Sequence, residues 1–269
     1  MLKRLGIIVV LLSLPVFGFF LREKVVTKPV PHNEVLHAAE RTVRVPILVY
    51  HNVRPPSPTR VLSASDQQYE VTPEQFESEL AVLAKEKYTV VSFDQMMTAI
   101  HGGENLPEKS VVITIDDGRE SQYLYALPLL KKYGFSATFF IFTNAIGKKG
   151  YLTWDQLKEL RDAGIAIEAH TRFHPFLTRI TDDTALRKEL TESKKLLEEK
   201  LGISVKYFAY PFGLYDDRVV AAVKDAGYSA ARGLRHTTVA GPESVLTLGG
   251  FIATGDVQYF RNAILAAKK

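Results

Sequence analysis

Two groups of polar residues in this sequence could together hold a divalent metal ion. Asp116 and Asp117 directly follow an apolar run, and His170 and His174 follow a second apolar run some fifty residues later. One carboxylate and two imidazoles form the ligand set of an open metal site, which leaves coordination positions for water and substrate. The pattern therefore indicates a metal-dependent hydrolase.

The two aspartates are expected to do different things. Adjacent carboxylates repel each other unless a cation neutralises one of them, and neighbouring residues of an extended strand point in opposite directions. One carboxylate could then bind a metal while the other acts on water. Taken alone, Asp116-Asp117-Gly118 could also be a turn that caps the next helix.

The spacing of the histidines favours a shared ion. Residues at i and i+4 lie on one face of a helical turn, so His170 and His174 could bind the same metal. A lone pair with this spacing often occurs by chance, and the combination with the aspartates makes the metal site the preferred interpretation. We expect a divalent metal, with zinc preferred and cobalt, nickel or iron as alternatives.

A third segment, Tyr207 to Gly213, is an aromatic strand that runs into a loop with Pro211 and Gly213. Such a loop could direct backbone N–H groups into a cavity as oxyanion donors and form a wall for sugar rings. An ordinary strand with core aromatic residues is the alternative.

Strands and helices alternate along the chain and would position these groups. Apolar runs predict strands at 45–50, 88–91, 111–115, 137–142, 165–169, 206–210 and 246–252. Helices are predicted from Thr72 onwards and at 92–101, 121–133, 154–163, 182–201, 216–226 and 257–267. The alternation predicts an α/β fold with a parallel sheet, and a TIM-like (β/α) barrel of about seven strands is favoured over an open sheet. The carboxyl ends of the strands, where a barrel holds its chemistry, are where all the candidate groups lie.

Composition excludes several other classes of protein. The 269-residue chain has no cysteine, which excludes disulfides, thiolate catalysis and cysteine-bound zinc. Its net charge of +4 includes no run of five basic residues, so we predict no nucleic-acid partner. We expect a monomer.

The N-terminus carries an uncharged apolar run at positions 5–21. This length is near the lower limit of about 17–25 residues for a membrane-spanning helix, and no small-residue cleavage site follows it. We expect a signal-anchor at 1–24, with a cleaved signal peptide as the alternative, then a linker at 25–43 and the folded domain at 44–269. The hydrophobic helix would hold the domain at the cell membrane, outside the cytoplasm; cleavage would make the protein secreted.

The three motifs, in this order, resemble those of the NodB-homology polysaccharide deacetylases, carbohydrate esterase family four. The resemblance covers the Asp-Asp-Gly after a strand, the His-Thr-x-x-His and the aromatic-Pro-x-Gly loop, and extends over about 44–255. It implies a deformed (β/α) barrel that uses a divalent metal to remove acetyl groups from N-acetylglucosamine units of a polysaccharide.

The resemblance also implies a role for each matching residue. Asp116 corresponds to the general base of the family, and Asp117, His170 and His174 correspond to the metal ligands. Tyr210 corresponds to the position whose backbone N–H helps to hold the oxyanion.

Two departures from the family pattern affect the acid and the base. Ala209 stands where many members have an arginine, which puts the tuning of the base in doubt. The stretch 246–250 has no histidine where many members have the general acid. The strand that leads to His51 is similar to the first strand of a circularly permuted subgroup that includes poly-N-acetylglucosamine deacetylases. We therefore predict His51 as the general acid, with His236 as the alternative.

The preferred substrate is an extracellular poly-N-acetylglucosamine. Peptidoglycan and chitooligosaccharides are alternatives within the same activity. A carbohydrate-binding protein without turnover, or a metallohydrolase of another amide or ester, is possible on the same fold.

Overall fold

The computed structural model describes residues 39–57, 59 and 61–265. The predicted N-terminal hydrophobic helix and most of the predicted linker lie outside these residues. Among the helices that are described, none combines the length and the apolar character needed to span a bilayer.

The domain contains short strands and longer helices in alternation. In chain order, strands β1 to β12 are Val43–Arg44, Ile47–Tyr50, Asn52–Val53, Glu70–Val71, Thr89–Val90, Ser110–Asp116, Thr138–Ile141, Ala166–Ala169, Tyr207–Ala209, Ala230–Arg232, Val239–Ala240 and Phe251–Ile252. Helices α1 to α8 are Ala64–Gln67, Pro73–Lys85, Phe93–Ile100, Leu127–Tyr133, Trp154–Asp162, Asp183–Leu201, Asp217–Asp225 and Val257–Leu265.

Eight strands form one parallel sheet in the order β10-β9-β8-β7-β6-β2-β12, with β5 paired to the first residues of β6. A parallel bridge between Arg232 and Leu248 links β10 to the segment that leads into β12. The two ends of the strand order therefore approach each other, and the sheet is curled. The result is an α/β fold that is consistent with the predicted deformed barrel.

Strand β6 shows how the sheet separates two layers of apolar packing. All its residues are buried. Ile113 and Ile115 belong to the large cluster that the sheet forms with most of the helices, whereas Val112 belongs to a second cluster with Phe140. Because side chains alternate along a strand, Asp116 falls on the same side as Val112. The base predicted from sequence therefore points towards the second cluster.

Local signals in the sequence account for most helix boundaries. Thr72 and Thr153 form capping boxes at the starts of α2 and α5. The helix predicted at 121–133 contains a π-helical segment, Gln122–Ala126, directly before α4. Pro128 lacks the N–H that an α-helix would use at this point, which accounts for the irregular hydrogen bonding.

One predicted strand is corrected, and one observed strand was not predicted. The strand expected at 246–252 is reduced to β12, because Gly249 and Gly250 pass so close to the backbone near Gly233 and Arg235 that a Cβ atom would clash there. The short strand β10 was not predicted, since Ala230-Ala231-Arg232 has no large apolar residue.

Candidate active site

The carboxyl ends of the central strands meet at one cleft. His51 follows β2, Asp117 follows β6 and His174 lies beyond β8, and all three line a cavity of about 420 Å³. The other cavity walls include Tyr69 and Phe212. The prediction that the motif residues gather at the same end of the sheet is confirmed.

Asp117, His170 and His174 each offer one atom to a common position. The two Nε2 atoms of the histidines are 3.1 Å apart, and Oδ1 of Asp117 lies 3.8 Å from His170 Nε2 and 3.6 Å from His174 Nε2. Ligands about 2.0–2.1 Å from a tetrahedral zinc ion would be about 3.3–3.4 Å apart. The donor types and their separations therefore fit a divalent metal ion.

The surroundings of His170 prepare its Nε2 atom to bind a metal. The Nδ1 atom lies 2.7 Å from the carbonyl oxygen of Ala209. Donation from Nδ1 to this carbonyl leaves the Nε2 lone pair free towards the other ligands. Burial and the neighbouring His174 lower the pKa of His170 to about 4, and burial also lowers the pKa of His174. Both imidazoles are thus neutral near pH 7, which is the form that binds metals.

The loop that holds the histidines is not the helical turn that their spacing suggested. Thr171 has φ of 71° and His174 has φ of 59°, so the chain folds back between the two candidate ligands. Asp117 is likewise outside the extended strand, with φ of 78°. The different directions of Asp116 and Asp117 therefore come from a left-handed turn rather than from strand alternation alone.

These unusual conformations are concentrated at the cleft. Among the described residues, five other than glycine have positive φ, and four of them are Asp117, Thr171, His174 and Phe212. Each such conformation carries a cost of order 1–3 kcal/mol, which the surrounding structure must overcome. Their clustering next to the candidate metal ligands supports this cleft as the candidate functional site.

An arginine that was not predicted from the sequence neutralises Asp116. Arg232, on β10, places Nη2 at 2.5 and 2.7 Å from the two carboxylate oxygens. Both side chains are buried, with relative exposures of 0% and 3%. Burial by itself would raise the pKa of Asp116, but Arg232, His170 and His51 together hold it below its usual value. Asp116 is therefore an ionised carboxylate at neutral pH and can accept a proton.

Position 209 has alanine where many members of the family have arginine, and Arg232 on the next strand supplies the guanidinium instead. β9 and β10 are neighbours, and Arg232 pairs with Ala209 in the parallel register. The available signal was indirect: the helix that ends near Gly227 should be followed by another strand, and Arg232 would end that strand.

His51 lies beside Asp116 at the cleft, and its role as the general acid stays a prediction. Its Nε2 atom is 3.8 Å from Oδ2 of Asp116, and its ring packs against Tyr69 with centroids 4.5 Å apart. The alternative acid, His236, is instead stacked on Phe251 with centroids 5.2 Å apart, and it is not among the residues that line the cleft.

The role predicted for Tyr210 is wrong. Its backbone N–H donates to the carbonyl of Arg232 at 3.0 Å, because the pairing of β9 with β10 extends one residue beyond the strand. Its hydroxyl donates to the carbonyl of Leu246 at 2.9 Å. Both donors of this buried residue are therefore already occupied.

Phe212, two positions later, has the properties that were expected of Tyr210. It lines the cleft, its ring centroid lies 4.7 Å from that of His174, and the residue is 41% exposed. Its backbone N–H makes no hydrogen bond to any residue that the structure describes. The ring is also stacked on Phe176.

Comparisons with known proteins find similarity to polysaccharide deacetylases. A family model described as polysaccharide deacetylase matches residues 103–231. The putative polysaccharide deacetylase YxkH of Bacillus subtilis is 32% identical over 189 residues, which cover 70% of this chain and 64% of that protein. A poly-β-1,6-N-acetyl-D-glucosamine N-deacetylase of Staphylococcus aureus is 31% identical over 172 residues, or 59% of each protein. The chain thus spans less than two thirds of the length of these curated relatives.

Solved structures show the same fold. The Streptococcus pyogenes deacetylase PplD in complex with acetate is 25% identical, with a TM-score of 0.75, and the match covers 83% of this chain and 99% of that one. IcaB from Ammonifex degensii is 24% identical, with a TM-score of 0.73 and coverage of 84% and 98%.

Proposed function

Because the chain carries a polysaccharide deacetylase domain of the NodB-homology family, we propose that it is a metal-dependent hydrolase that removes N-acetyl groups from N-acetylglucosamine units of a polysaccharide. The observation that carries this proposal is the triangle of donors from Asp117, His170 and His174 beside the ionised Asp116. A binding protein without turnover would have no need for this arrangement.

The metal proposed for the site is zinc, with cobalt, nickel or iron as alternatives. Asp117, His170 and His174 would hold it, and the neutral state of both imidazoles suits such an ion. A divalent cation bound there would polarise the acetyl carbonyl and lower the pKa of the attacking water.

The residues of the chain supply the proton transfers. Asp116 accepts a proton from water, whose oxygen adds to the carbonyl carbon of the acetyl group. His51 donates a proton to the nitrogen as the C–N bond breaks, because an unprotonated amine is a poor leaving group. The products are acetate and a free amine. Arg232 keeps Asp116 ionised and fixes its direction through two contacts with the carboxylate.

The backbone N–H of Phe212 is the proposed hydrogen-bond donor to the developing oxyanion, in place of Tyr210. Such donors act strongly when they are already oriented in a site shielded from water. The stacking of Phe212 on Phe176 and its contact with His174 hold this residue at the edge of the cleft.

We propose poly-N-acetylglucosamine as the substrate, because a similar protein from S. aureus carries the name of such a deacetylase. We also propose that residues 1–24 anchor a monomeric enzyme at the cell membrane with the domain outside the cytoplasm. That part rests on the apolar sequence at 5–21; cleavage of the segment would give a secreted enzyme.

The test measures acetate release by the full-length chain, purified in a mild detergent and loaded with zinc or cobalt. Substrates are β-1,6-linked glucosamine oligomers with N-acetyl groups, chitooligosaccharides and peptidoglycan fragments. Asp116→Asn should abolish turnover while the metal stays bound. Asp155→Asn, at a side chain that is 87% exposed on α5, is the matched control and should be fully active.

Each outcome has a distinct meaning. Acetate from the β-1,6-linked oligomers alone supports the proposed substrate, and acetate only from peptidoglycan or chitooligosaccharides reverses that choice. A metal-loaded protein that binds these glycans but releases no acetate would refute the enzymatic proposal. A chelated protein with undiminished turnover would refute metal dependence.

A further inference from the structure

His51 and Asp116, the acid and the base of the proposed function, lie close together at the ends of neighbouring strands. Strands β2 and β6 pair up to Tyr50 and Ile115, where their ladder ends. His51 follows Tyr50 and Asp116 follows Ile115, so the proposed acid and base lie just beyond the last ladder pair. Their side chains nevertheless face each other, with Nε2 of His51 3.8 Å from Oδ2 of Asp116.

Few contacts hold the imidazole of His51 directly. Its Nδ1 atom is buried and has no hydrogen-bond partner within the described part of the chain. Its ring packs against Tyr69, which belongs to the loop before β4. A histidine that acts in proton transfer usually has its second nitrogen oriented by a hydrogen bond. Here the orientation of the ring must depend largely on how its backbone is held.

Gln122 holds that backbone. Its Nε2 atom donates to the carbonyl of His51 at 2.7 Å and also to the carbonyl of Asp116. A side-chain amide has two N–H donors, and both are used here. Rotating the amide by 180° would bring its oxygen against two carbonyl oxygens, so this orientation is enforced. Gln122 therefore connects the ends of β2 and β6 one step beyond their ladder.

The fold keeps Gln122 in this place. The residue is fully buried, with 0% exposure. It is the first residue of the π-helical segment, and its carbonyl accepts a hydrogen bond from the N–H of Leu127. Segments of this type are uncommon and frequently occur at functional sites. The two carbonyls satisfy the donors of this buried amide, whereas its Oε1 atom has no hydrogen-bond partner among the described residues.

From these contacts we propose that Gln122 is a positioning residue, which sets the separation of the general acid His51 from the general base Asp116. The hydrogen bonds of its side chain reach only the backbone carbonyls of His51 and Asp116, so its effect would pass through the two backbones that it joins. The inference rests on the proposed function, in which His51 and Asp116 transfer protons in one reaction.

The test compares Gln122→Met with the wild type in the full-length enzyme. Methionine has a similar length and no donor. A displacement of about 1 Å in a catalytic group can cost about 10²-fold in rate, so kcat should fall about 10- to 100-fold. KM should stay within about 2-fold of the wild-type value, and zinc affinity by calorimetry should be unchanged, because the three ligands are untouched.

Two controls separate positioning from folding. Gln95→Met removes a glutamine that caps α3 and accepts from Ser92 N–H at 2.8 Å; its kcat should be unchanged. Gln122→Asn keeps the amide on a shorter side chain, and its kcat should lie between those of the wild type and Gln122→Met. If the methionine variant does not fold, the asparagine variant takes its place in the comparison.

A double-mutant cycle with His51→Ala decides the question. Without the imidazole there is no acid to position, so the further loss caused by Gln122→Met should shrink to less than about 3-fold. The same fold-loss in both backgrounds, or unchanged kcat in a folded Gln122→Met enzyme, would overturn the inference. An inactive wild-type enzyme would instead overturn the proposed function, and the two failures are therefore distinguishable.

Discussion

Replacing Arg232 by methionine should destabilise the domain far more than the loss of an ordinary ion pair. The side chain of Asp116 is 3% exposed and that of Arg232 is 0% exposed, so water cannot solvate the carboxylate once the guanidinium is gone. Methionine fills much of the same volume without a charge. The variant therefore isolates the effect of leaving one buried charge unpaired.

The expected loss is large on the scale of protein stability. Breaking a buried ion pair by removing one partner costs about 3–5 kcal/mol. For a domain of this size, each 1 kcal/mol lowers Tm by about 2–4 °C, so Arg232→Met should melt about 6–20 °C below the wild type. Arg218→Met is the matched control, because its pair with Asp183 has exposures of 39% and 77%. Such surface pairs contribute about 0–1 kcal/mol.

The pH dependence of this difference has a definite sign. In the wild type, the pKa of Asp116 lies below its usual value, so the pair stabilises the fold above about pH 4 and loses this contribution as pH falls further. In Arg232→Met, burial is unopposed by the guanidinium, and the folded-state pKa of Asp116 should rise above its unfolded value. Protonation then relieves the unpaired charge. The stability gap between the two proteins should narrow as pH falls from 8 to 5.

The assay is urea or thermal unfolding of the metal-free proteins at several pH values, followed by circular dichroism. Asp116→Asn combined with Arg232→Met should recover part of the lost stability, since no carboxylate is left unpaired. An Arg232→Met protein within about 1 kcal/mol of the wild type at pH 8, or a gap that widens at low pH, would refute the role assigned to this ion pair.

The remaining predictions concern the metal site, the acid and a buried carboxyl group. His174→Ala should weaken zinc binding in calorimetric titrations by more than the 10- to 100-fold typical of an outer partner; unchanged affinity would exclude His174 as a ligand. His51→Ala should lower kcat by about 10²- to 10⁴-fold with zinc affinity unchanged, and full activity would remove it as the acid. Glu79 is buried and accepts a hydrogen bond from Tyr50 at 2.8 Å, and burial raises its pKa from 4.5 to about 7. The folded state retains the proton of Glu79 more tightly than the unfolded state, so wild-type stability should decline as pH rises from about 4.5 to about 7. Glu79→Gln should flatten that decline in unfolding measurements, and an unaltered slope would contradict it.

The sequence by itself determined the residue types of the site and the elements that carry them. The apolar run of β6 ends in Asp116-Asp117-Gly118, and β8 leads to His170 and His174. These signals are local, because side-chain period, caps and strand ends depend on residues a few positions apart. The alternation of strands and helices then placed every motif at the carboxyl edge of one parallel sheet. The N-terminal helix and the cell-membrane location stay predictions from sequence.

Only the tertiary structure decided which groups meet at that edge and which donors stay free. Arg232 is 116 positions from Asp116, on a short strand without a large apolar residue, and the strand order brings them together. The continued pairing of β9 with β10 occupies the N–H of Tyr210. The contact of Gln122 with two strand ends depends on a π-helical segment. The ion pair, the occupied N–H and the Gln122 contacts all depend on how distant strands and helices are placed. Local residue patterns do not encode that placement.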